Sequence, residues 1–323
     1  MKVMRTITLL VLSMAVSFTF AQQKPGAQDQ KKVVKIIPVK PDTTNPNKKQ
    51  LKKYSKEELY NAVFPPKQIT DPKEAEALKI FNEGSAKGKT GDYQGAIADY
   101  TRSLNLFRNP ATLMKRGYSY MMSGNYGSAI ADATDALQLQ PSNSKAHFVR
   151  GVSRFETHDY KGAEEDLGYT IDVEHTNSIA FNYMAAIKFM KQDYKGALEN
   201  YDEVVKLDPK YPDIYTNRGM MRHYVQDYIG AIQDYNEALK SNPANASAYN
   251  NRAAAKMMLK DFKNALVDLD KAISLNKNYA DAYDNRGRLK QAMGDLKGAC
   301  EDWNMSYSLG LEASKNMIIK YCK

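Results

Sequence analysis

Residues 217–239 read NRGMMRHYVQDYIGAIQDYNEAL, and residues 251–273 read NRAAAKMMLKDFKNALVDLDKAI. The second stretch begins 34 residues after the first. The two share Asn-Arg before a small residue, then an Asp-aromatic step, and an alanine three residues after the aromatic ring. A period of this length indicates an array of similar structural units.

The pattern extends to seven units, with steps of 34 residues and a single step of 33. The small residue is Gly84, Gly117, Gly151, Ala185, Gly219, Ala253 and Gly287 in successive units. Twelve residues later stands Ala96, Ala129, Ala163, Ala197, Ala231, Ala265 or Ala299. The aromatic or leucine residue is Tyr93, Tyr126, Tyr160, Tyr194, Tyr228, Phe262 or Leu296. Internal repetition is therefore the primary property of the chain.

Each unit predicts two α-helices. Tyr249, Ala253 and Met257 are spaced as on one helix face, and Gly230 to Leu239 gives the second helix. Prolines at positions 141, 209 and 243 follow second helices and would stop them. The small residue and the alanine are expected where the paired helices cross closely.

This pattern resembles the tetratricopeptide repeat family. The resemblance implies an all-α, right-handed solenoid of about seven antiparallel helix pairs over residues 73–310, with a concave groove lined mostly by the first helices. It further implies capture of peptides or protein partners without catalysis. Residues 311–323 are predicted to form a capping helix, because the last unit of a solenoid has no neighbour.

The sequence departs from the family where a leucine typically precedes the small residue. Five units have arginine there: Arg116, Arg150, Arg218, Arg252 and Arg286. Sixteen residues later stand Asp132, Asp166, Asp234, Asp268 and Asp302. The fourth unit lacks both partners and has Met184 and Asn200, whereas the first has Glu83 and Asp99. Joint loss is expected for buried pairs, because a lone buried charge costs about 3–5 kcal/mol. We therefore predict structural ion pairs between the two helices of a unit.

The resemblance also suggests where a ligand would bind. In peptide-binding members an Asn two residues before the small position often holds the ligand backbone, and here Asn217, Asn251 and Asn285 occupy that place. Seven residues further on stand Met122, Met190, Tyr224 and Met258, which could contact apolar segments. Units five to seven are thus the preferred groove. The alternative is that the asparagines only organise helix starts and that the Met and Tyr side chains are core.

Catalytic and cofactor signals are absent from the sequence. The four histidines have no metal-ligand spacing, and no nucleotide-binding or nucleophile motif is present. The Lys/Asn clamp for acidic C-termini is also unmatched, with pairs such as Thr216/Met220 and Asn250/Ala254 at its positions. We therefore expect a protein or peptide partner, no enzyme activity, no cofactor and no metal.

The N-terminus predicts export. Lys2 and Arg5 precede an apolar run from Ile7 to Phe20, which suits a signal peptide over residues 1–21, cleaved near Ala21, better than a membrane anchor. A periplasmic or secreted location would favour a disulfide between Cys300 and Cys322, the alternative being two free thiols.

Residues 22–72 read as a basic Lys/Pro-rich linker with two local elements. These are the β-prone Val33–Val39 segment and a short helix from Ser55 to about Phe64. Either could dock a partner.

Charge is distributed unevenly along the 323 residues, whose formal net charge is +9. Residues 22–73 contain 12 lysines and 5 acidic residues, whereas residues 74–323 contain 32 basic and 32 acidic residues. A repeat array without net charge that follows a basic N-terminal tail disfavours nucleic acid as the partner. We expect a scaffold or adaptor of the bacterial cell envelope. The alternative is a factor that contacts anionic lipid or polymer through the basic tail.

Overall fold

The computed structural model describes residues 71–210 and 212–322. The predicted signal peptide, the linker and its two local elements lie outside the described residues. Within the described part the chain forms fifteen α-helices and no strand. They are α1 Pro72–Lys89, α2 Tyr93–Leu106, α3 Pro110–Met122, α4 Tyr126–Leu139, α5 Ser144–Glu156, α6 Tyr160–Val173, α7 Ser178–Met190, α8 Tyr194–Leu207, α9 Pro212–Tyr224, α10 Tyr228–Ser241, α11 Ala246–Met258, α12 Phe262–Leu275, α13 Ala280–Ala292, α14 Leu296–Ser308 and α15 Ala313–Tyr321.

The helices pack in sequence as seven pairs, each odd-numbered helix against the even-numbered helix that follows it. In the first pair, α1 meets α2 where Gly84 approaches Asp99 and Tyr100. Each pair packs on the next through its second helix and the following first helix, and α15 packs on α14. The predicted all-α solenoid of seven helix pairs with a capping helix is therefore confirmed.

Helix capping explains the recurring Asp-aromatic step. The acidic or Asn side chain is the N-cap of each second helix, as where Asp227 accepts a hydrogen bond from the Gly230 backbone N–H at 2.9 Å. Such a cap stabilises a helix by about 1 kcal/mol. The residue before the cap has positive φ in all seven units, and four of these residues are not glycine: His158, Gln192, Gln226 and Lys260.

Close helix crossing explains the small residues. A Cβ on Gly219 would lie 2.9 Å from the Tyr235 ring, and one on Gly287 would lie 2.6 Å from Nε1 of Trp303. The alanines of the second helices are fully buried against the same crossings. Core clusters also span unit boundaries, as where Ala238 and Leu239 pack with Ala248 of the next unit. Each unit thus completes its core with its neighbour.

The first helices of adjacent units are closer together than the second helices are. From α3 to α13 successive first helices pack on each other in all pairs but α7 and α9, which meet through the rings of Phe189 and Tyr224. Successive second helices make at most marginal contact. The first helices therefore lie on the inside of the curve of the stack. We call their solvent-facing side the inner surface.

The last helix is fixed to the array by polar, aromatic and covalent contacts. The Ser314 hydroxyl donates to Asp284 Oδ1 at 2.8 Å, and the Tyr321 ring stacks with Trp303 at 5.7 Å between centroids. A disulfide joins Cys300 to Cys322. Among the described residues no helix is long and apolar enough to span a membrane.

Candidate functional site

The structure brings all five predicted Arg–Asp pairs together across the two helices of a unit. Each arginine donates from Nε and Nη2 to both carboxylate oxygens of its aspartate, as Arg252 does to Asp268 at 2.9 and 2.6 Å. The five aspartates are between 2% and 5% exposed. Bidentate charge-assisted bonds are the strong class of hydrogen bond, and they raise the pKa of Arg116 and of Arg286. The remaining four pairs share this geometry: Arg116–Asp132, Arg150–Asp166, Arg218–Asp234 and Arg286–Asp302.

Four of the arginines also reach the preceding unit through Nη1. Arg218 donates to Asp202 at 3.0 Å, Arg252 to Asn236 at 2.7 Å, and Arg286 to Asp270 at 2.7 Å. Arg116 donates to the Thr101 hydroxyl at 3.0 Å. A guanidinium group thus links three helices, two in its own unit and one in the unit before. The sequence interpretation assigned only the link within a unit.

A second basic residue, three positions after the small residue, joins most of the buried aspartates. Lys256 lies 2.7 Å from Asp268, and Lys290 lies 2.8 Å from Asp302. In the first unit, which lacks the arginine, Lys87 at this position pairs with Asp99 at 2.6 Å. Arg154 and Arg222 complete the set by pairing with Asp166 and Asp234. The regular recurrence of a basic residue at this position was the available signal, and sequence reasoning missed it.

The fourth unit shows what replaces the pair. Asn200 donates to the Gly196 carbonyl at 2.7 Å, and Met184 is buried. Lys188 stands at the position of the second basic residue but turns to Glu164 of the preceding unit, at 3.2 Å. The charges of the helix crossings are therefore paired inside the array and are not free to bind a ligand.

The three candidate asparagines lie on first helices and are half-buried. Asn285 Nδ2 donates to Asn250 Oδ1 at 2.9 Å, and Asn250 Nδ2 donates to Asn251 Oδ1 at 3.2 Å. This ladder links the sixth and seventh units and uses part of the hydrogen-bonding capacity of Asn251 and Asn285. Asn217 makes no side-chain hydrogen bond to another described residue, so its whole amide is available.

The Met and Tyr candidates differ in exposure. Tyr224 is 47% exposed and Met258 is 55% exposed, whereas Met190 is half-buried. Tyr224 stacks on Tyr194 with ring centroids 4.5 Å apart and nearly parallel planes. The exposed side chains lie at the ends of α9 and α11, where a ligand on the inner surface could reach them.

Aromatic rings form a strip over units three to five, of which sequence reasoning assigned Tyr160 and Tyr194 to the repeat pattern and Tyr224 to the groove. Phe155 contacts Tyr160 and Tyr183 with centroids 5.5 and 5.0 Å apart. Phe189 contacts Tyr194 and Tyr224 at 5.9 and 5.7 Å. Rings at successive first-helix ends therefore meet the first residues of the second helices.

Three of the four histidines contact side chains of the array. His147 Nδ1 lies 2.8 Å from Asp166 Oδ1, and His158 Nδ1 lies 2.8 Å from the Tyr160 hydroxyl. The His223 ring contacts Tyr228, and burial lowers the pKa of His223. No cluster of potential metal-ligating side chains occurs within the described residues.

Comparison with known families agrees with this architecture. Residues 186–223 match the family model described as TPR repeat, and residues 114–174 and 224–282 match the model described as Tetratricopeptide repeat. The chain is a tetratricopeptide repeat protein. Proteins built from these repeats are generally non-catalytic scaffolds, and their stacked units provide extended binding surfaces.

One curated protein and two solved structures show the range of similarity. The heat-shock protein cognate co-chaperone sgt12 of Aspergillus fumigatus is 36% identical over 82 residues, which are 25% of this chain and 24% of that protein. The tetratricopeptide repeat protein therefore spans about a quarter of the length of this relative.

The C-terminal part of a TPR repeat-containing protein from Cytophaga hutchinsonii superposes with a TM-score of 0.57 at 16% identity, covering 73% of this chain and 98% of that one. YrrB, described as a TPR protein with an unusual peptide-binding site, superposes with a TM-score of 0.54 at 18% identity, covering 57% of this chain and 95% of that one. These likenesses establish the shared fold.

Proposed function

We propose that this tetratricopeptide repeat protein is a non-catalytic scaffold or adaptor of the bacterial cell envelope that binds an extended segment of a partner protein on its inner surface. The observation that carries the proposal is the contrast between the two kinds of side chain on the first helices. The arginines that face the crossings are bonded inside the array, whereas Asn217, Tyr224 and Met258 remain half-buried or exposed. An unpaired amide beside pliable apolar side chains suits a peptide backbone with apolar residues.

The binding segment would lie across units five to seven. Asn217 can donate to a peptide carbonyl and accept from a peptide N–H, while Tyr224 and Met258 contact its side chains. Asp213, one helical turn before Asn217, is half-buried, and burial raises the pKa of its carboxyl. Asn251 and Asn285 would contribute the amide atoms that their ladder leaves free.

Crosslinking of tagged protein in cells tests this function. Asn217→Ala, Tyr224→Ala and Met258→Ala together should remove specific partners from the crosslinked set. The matched control is Ile229→Ala with Val267→Ala, two exposed residues of second helices. An unchanged partner set in the inner-surface variant would contradict the proposal.

Export supplies the cellular context of the proposal. It rests on the basic, apolar and small-residue pattern of residues 1–21 and on the pairing of Cys300 with Cys322. Cell fractionation with N-terminal sequencing of the mature chain checks it. A cytoplasmic chain that keeps residues 1–21 would refute export without affecting the groove.

A second function is favoured by the charge distribution, since the excess of basic over acidic residues is confined to residues 22–73 once Lys2 and Arg5 are set aside. This tail could hold the protein at anionic lipid or polymer. Deletion of residues 22–72 separates the two functions: partner crosslinks should survive if the groove is the binding site, whereas surface association should fail if the tail anchors the protein.

A further inference from the structure

Glu156 is a half-buried carboxylate at the end of a first helix. It is the last residue of α5, and its Oε1 accepts a hydrogen bond from the Tyr183 hydroxyl at 3.3 Å. No lysine or arginine among the described residues pairs with it. Arg154, two residues earlier on the same helix, is held by Asp166 at 2.8 Å and is therefore unable to compensate its charge.

The surroundings of Glu156 come from three successive units. Tyr126 begins α4 in the second unit, Tyr160 begins α6 in the third, and Tyr183 lies on α7 in the fourth. Phe155, the residue before Glu156, contacts the rings of Tyr160 and Tyr183 with centroids 5.5 and 5.0 Å apart. Burial raises the pKa of Tyr126 and of Tyr160, and the charge of Glu156 raises both further. His158 is nearby but bonds to the Tyr160 hydroxyl.

The electrostatics of this arrangement favour a cation. Burial raises the pKa of Glu156 above its usual range, and this effect exceeds the lowering by the Tyr183 hydrogen bond and by the charge of His158. The buried aspartates of the array, by contrast, each have an arginine or lysine within bonding distance. Aromatic faces attract ammonium and guanidinium groups, and the attraction grows as the site is desolvated.

We propose that Glu156, with the rings of Tyr160 and Tyr183, binds the cationic side chain, an arginine or a lysine, of the partner segment. This inference rests on the proposed function, because it places the side chain on a segment that lies along the inner surface. The neighbouring units have Met122 and Met190 at the same repeat position, so the specificity for a positive charge is local to the third unit. Tyr224 and Met258 remain available to the apolar residues that follow in the segment.

The test uses blocked amino acids on the full chain, followed by amide NMR shifts of residues 155–160 and 183. The probes are N-acetyl-arginine N-methylamide and its uncharged analogue made with citrulline. Saturable shifts are expected with the arginine probe and not with the citrulline probe. Glu156→Gln should weaken binding at least about tenfold, because a charge-assisted contact is lost while the Tyr183 hydrogen bond can persist. The matched control is Glu165→Gln, which removes an exposed carboxylate from α6.

A further variant separates the rings from the charge. Tyr160→Leu keeps the carboxylate and should weaken arginine binding roughly threefold, as expected for loss of one cation–π contact. Equal binding of both probes, an unchanged affinity in Glu156→Gln, or absence of saturable shifts with the arginine probe would each overturn the inference. If these results occur while the Asn217 triple variant still loses its partners, the cation site is wrong and the scaffold function stands. If the arginine probe binds as expected while the triple variant keeps all partners, the scaffold function fails instead.

Discussion

Asp268 bonds to two basic residues, so we predict that replacing Asp268 destabilises the protein more than replacing Arg252 does. Asp268 is 3% exposed and bonds to Arg252 through both oxygens and to Lys256 at 2.7 Å. Asp268→Asn leaves both cations without their carboxylate. Arg252→Met leaves the carboxylate with Lys256, and the methionine keeps much of the packing of the arginine stem.

The magnitudes follow from these contacts. Asp268→Asn should cost about 3 kcal/mol of unfolding free energy, at the lower end for breaking a buried pair because both cations keep some access to water. Arg252→Met should cost about 2 kcal/mol, since two charge-assisted bonds are lost but Asp268 stays paired. The double variant should cost about 3 kcal/mol, which gives a coupling energy of about 2 kcal/mol.

Urea unfolding together with native-state hydrogen exchange of α11, α12 and α13 would measure these values. Exchange is needed because arrays held by nearest-neighbour contacts can unfold unit by unit. The control cycle uses Lys240→Met and Glu237→Gln, an exposed pair on α10, for which the coupling should stay below about 0.5 kcal/mol. Additive losses at Arg252 and Asp268, or a larger loss for Arg252→Met than for Asp268→Asn, would refute the reasoning.

Three further outcomes are expected. Met184→Arg and Asn200→Asp should each destabilise the fourth unit by about 2 kcal/mol, whereas the double variant should recover most of that loss by forming the pair found in other units; failure to recover would mean that the fourth unit cannot accommodate it. Cys322→Ser should lower stability by about 3 kcal/mol, and hydrogen exchange should become faster in α15 while it stays unchanged in α11. Equal exchange of α15 in the wild type and in Cys322→Ser would contradict a role of the disulfide in holding the cap. Glu156→Gln should raise the melting temperature at neutral pH: burial raises the carboxyl pKa in the folded state, so ionisation costs stability once the pH rises above the unfolded value, and the amide avoids this cost.

The repeat pattern predicted the fold well because each unit needs a small residue and an alanine where its two helices cross. Gly219 and Ala231 are small in sequence for the same reason that they are buried in the structure, namely the close crossing of two helices. The Arg–Asp spacing likewise reflects one contact repeated within units, so comparison of Arg252 with Arg286 could reveal it.

Contacts between units were harder to predict. The bond from Arg252 reaches Asn236, whereas the corresponding bonds in other units reach Thr101, Asp202 or Asp270, so no single residue type marks this position. The side chain that links Asn285 to Asn251 is Asn250, which the sequence assigned only to an unmatched clamp position. The aromatic strip as a whole was not predicted, because the position of Tyr160 and Tyr194 in the sequence was already explained by the turn between two helices. Their rings also contact Phe155 and Phe189 of the first helices.

The central claim, that partners bind on the inner surface, is tested most directly by a photocrosslinking residue placed at single positions in cells. p-Benzoylphenylalanine at Tyr224 or Met258 should crosslink to a partner protein, whereas the same residue at Val267, which is 63% exposed on a second helix, should not. Crosslinks to the same partner from Val267 but from neither Tyr224 nor Met258 would contradict the account.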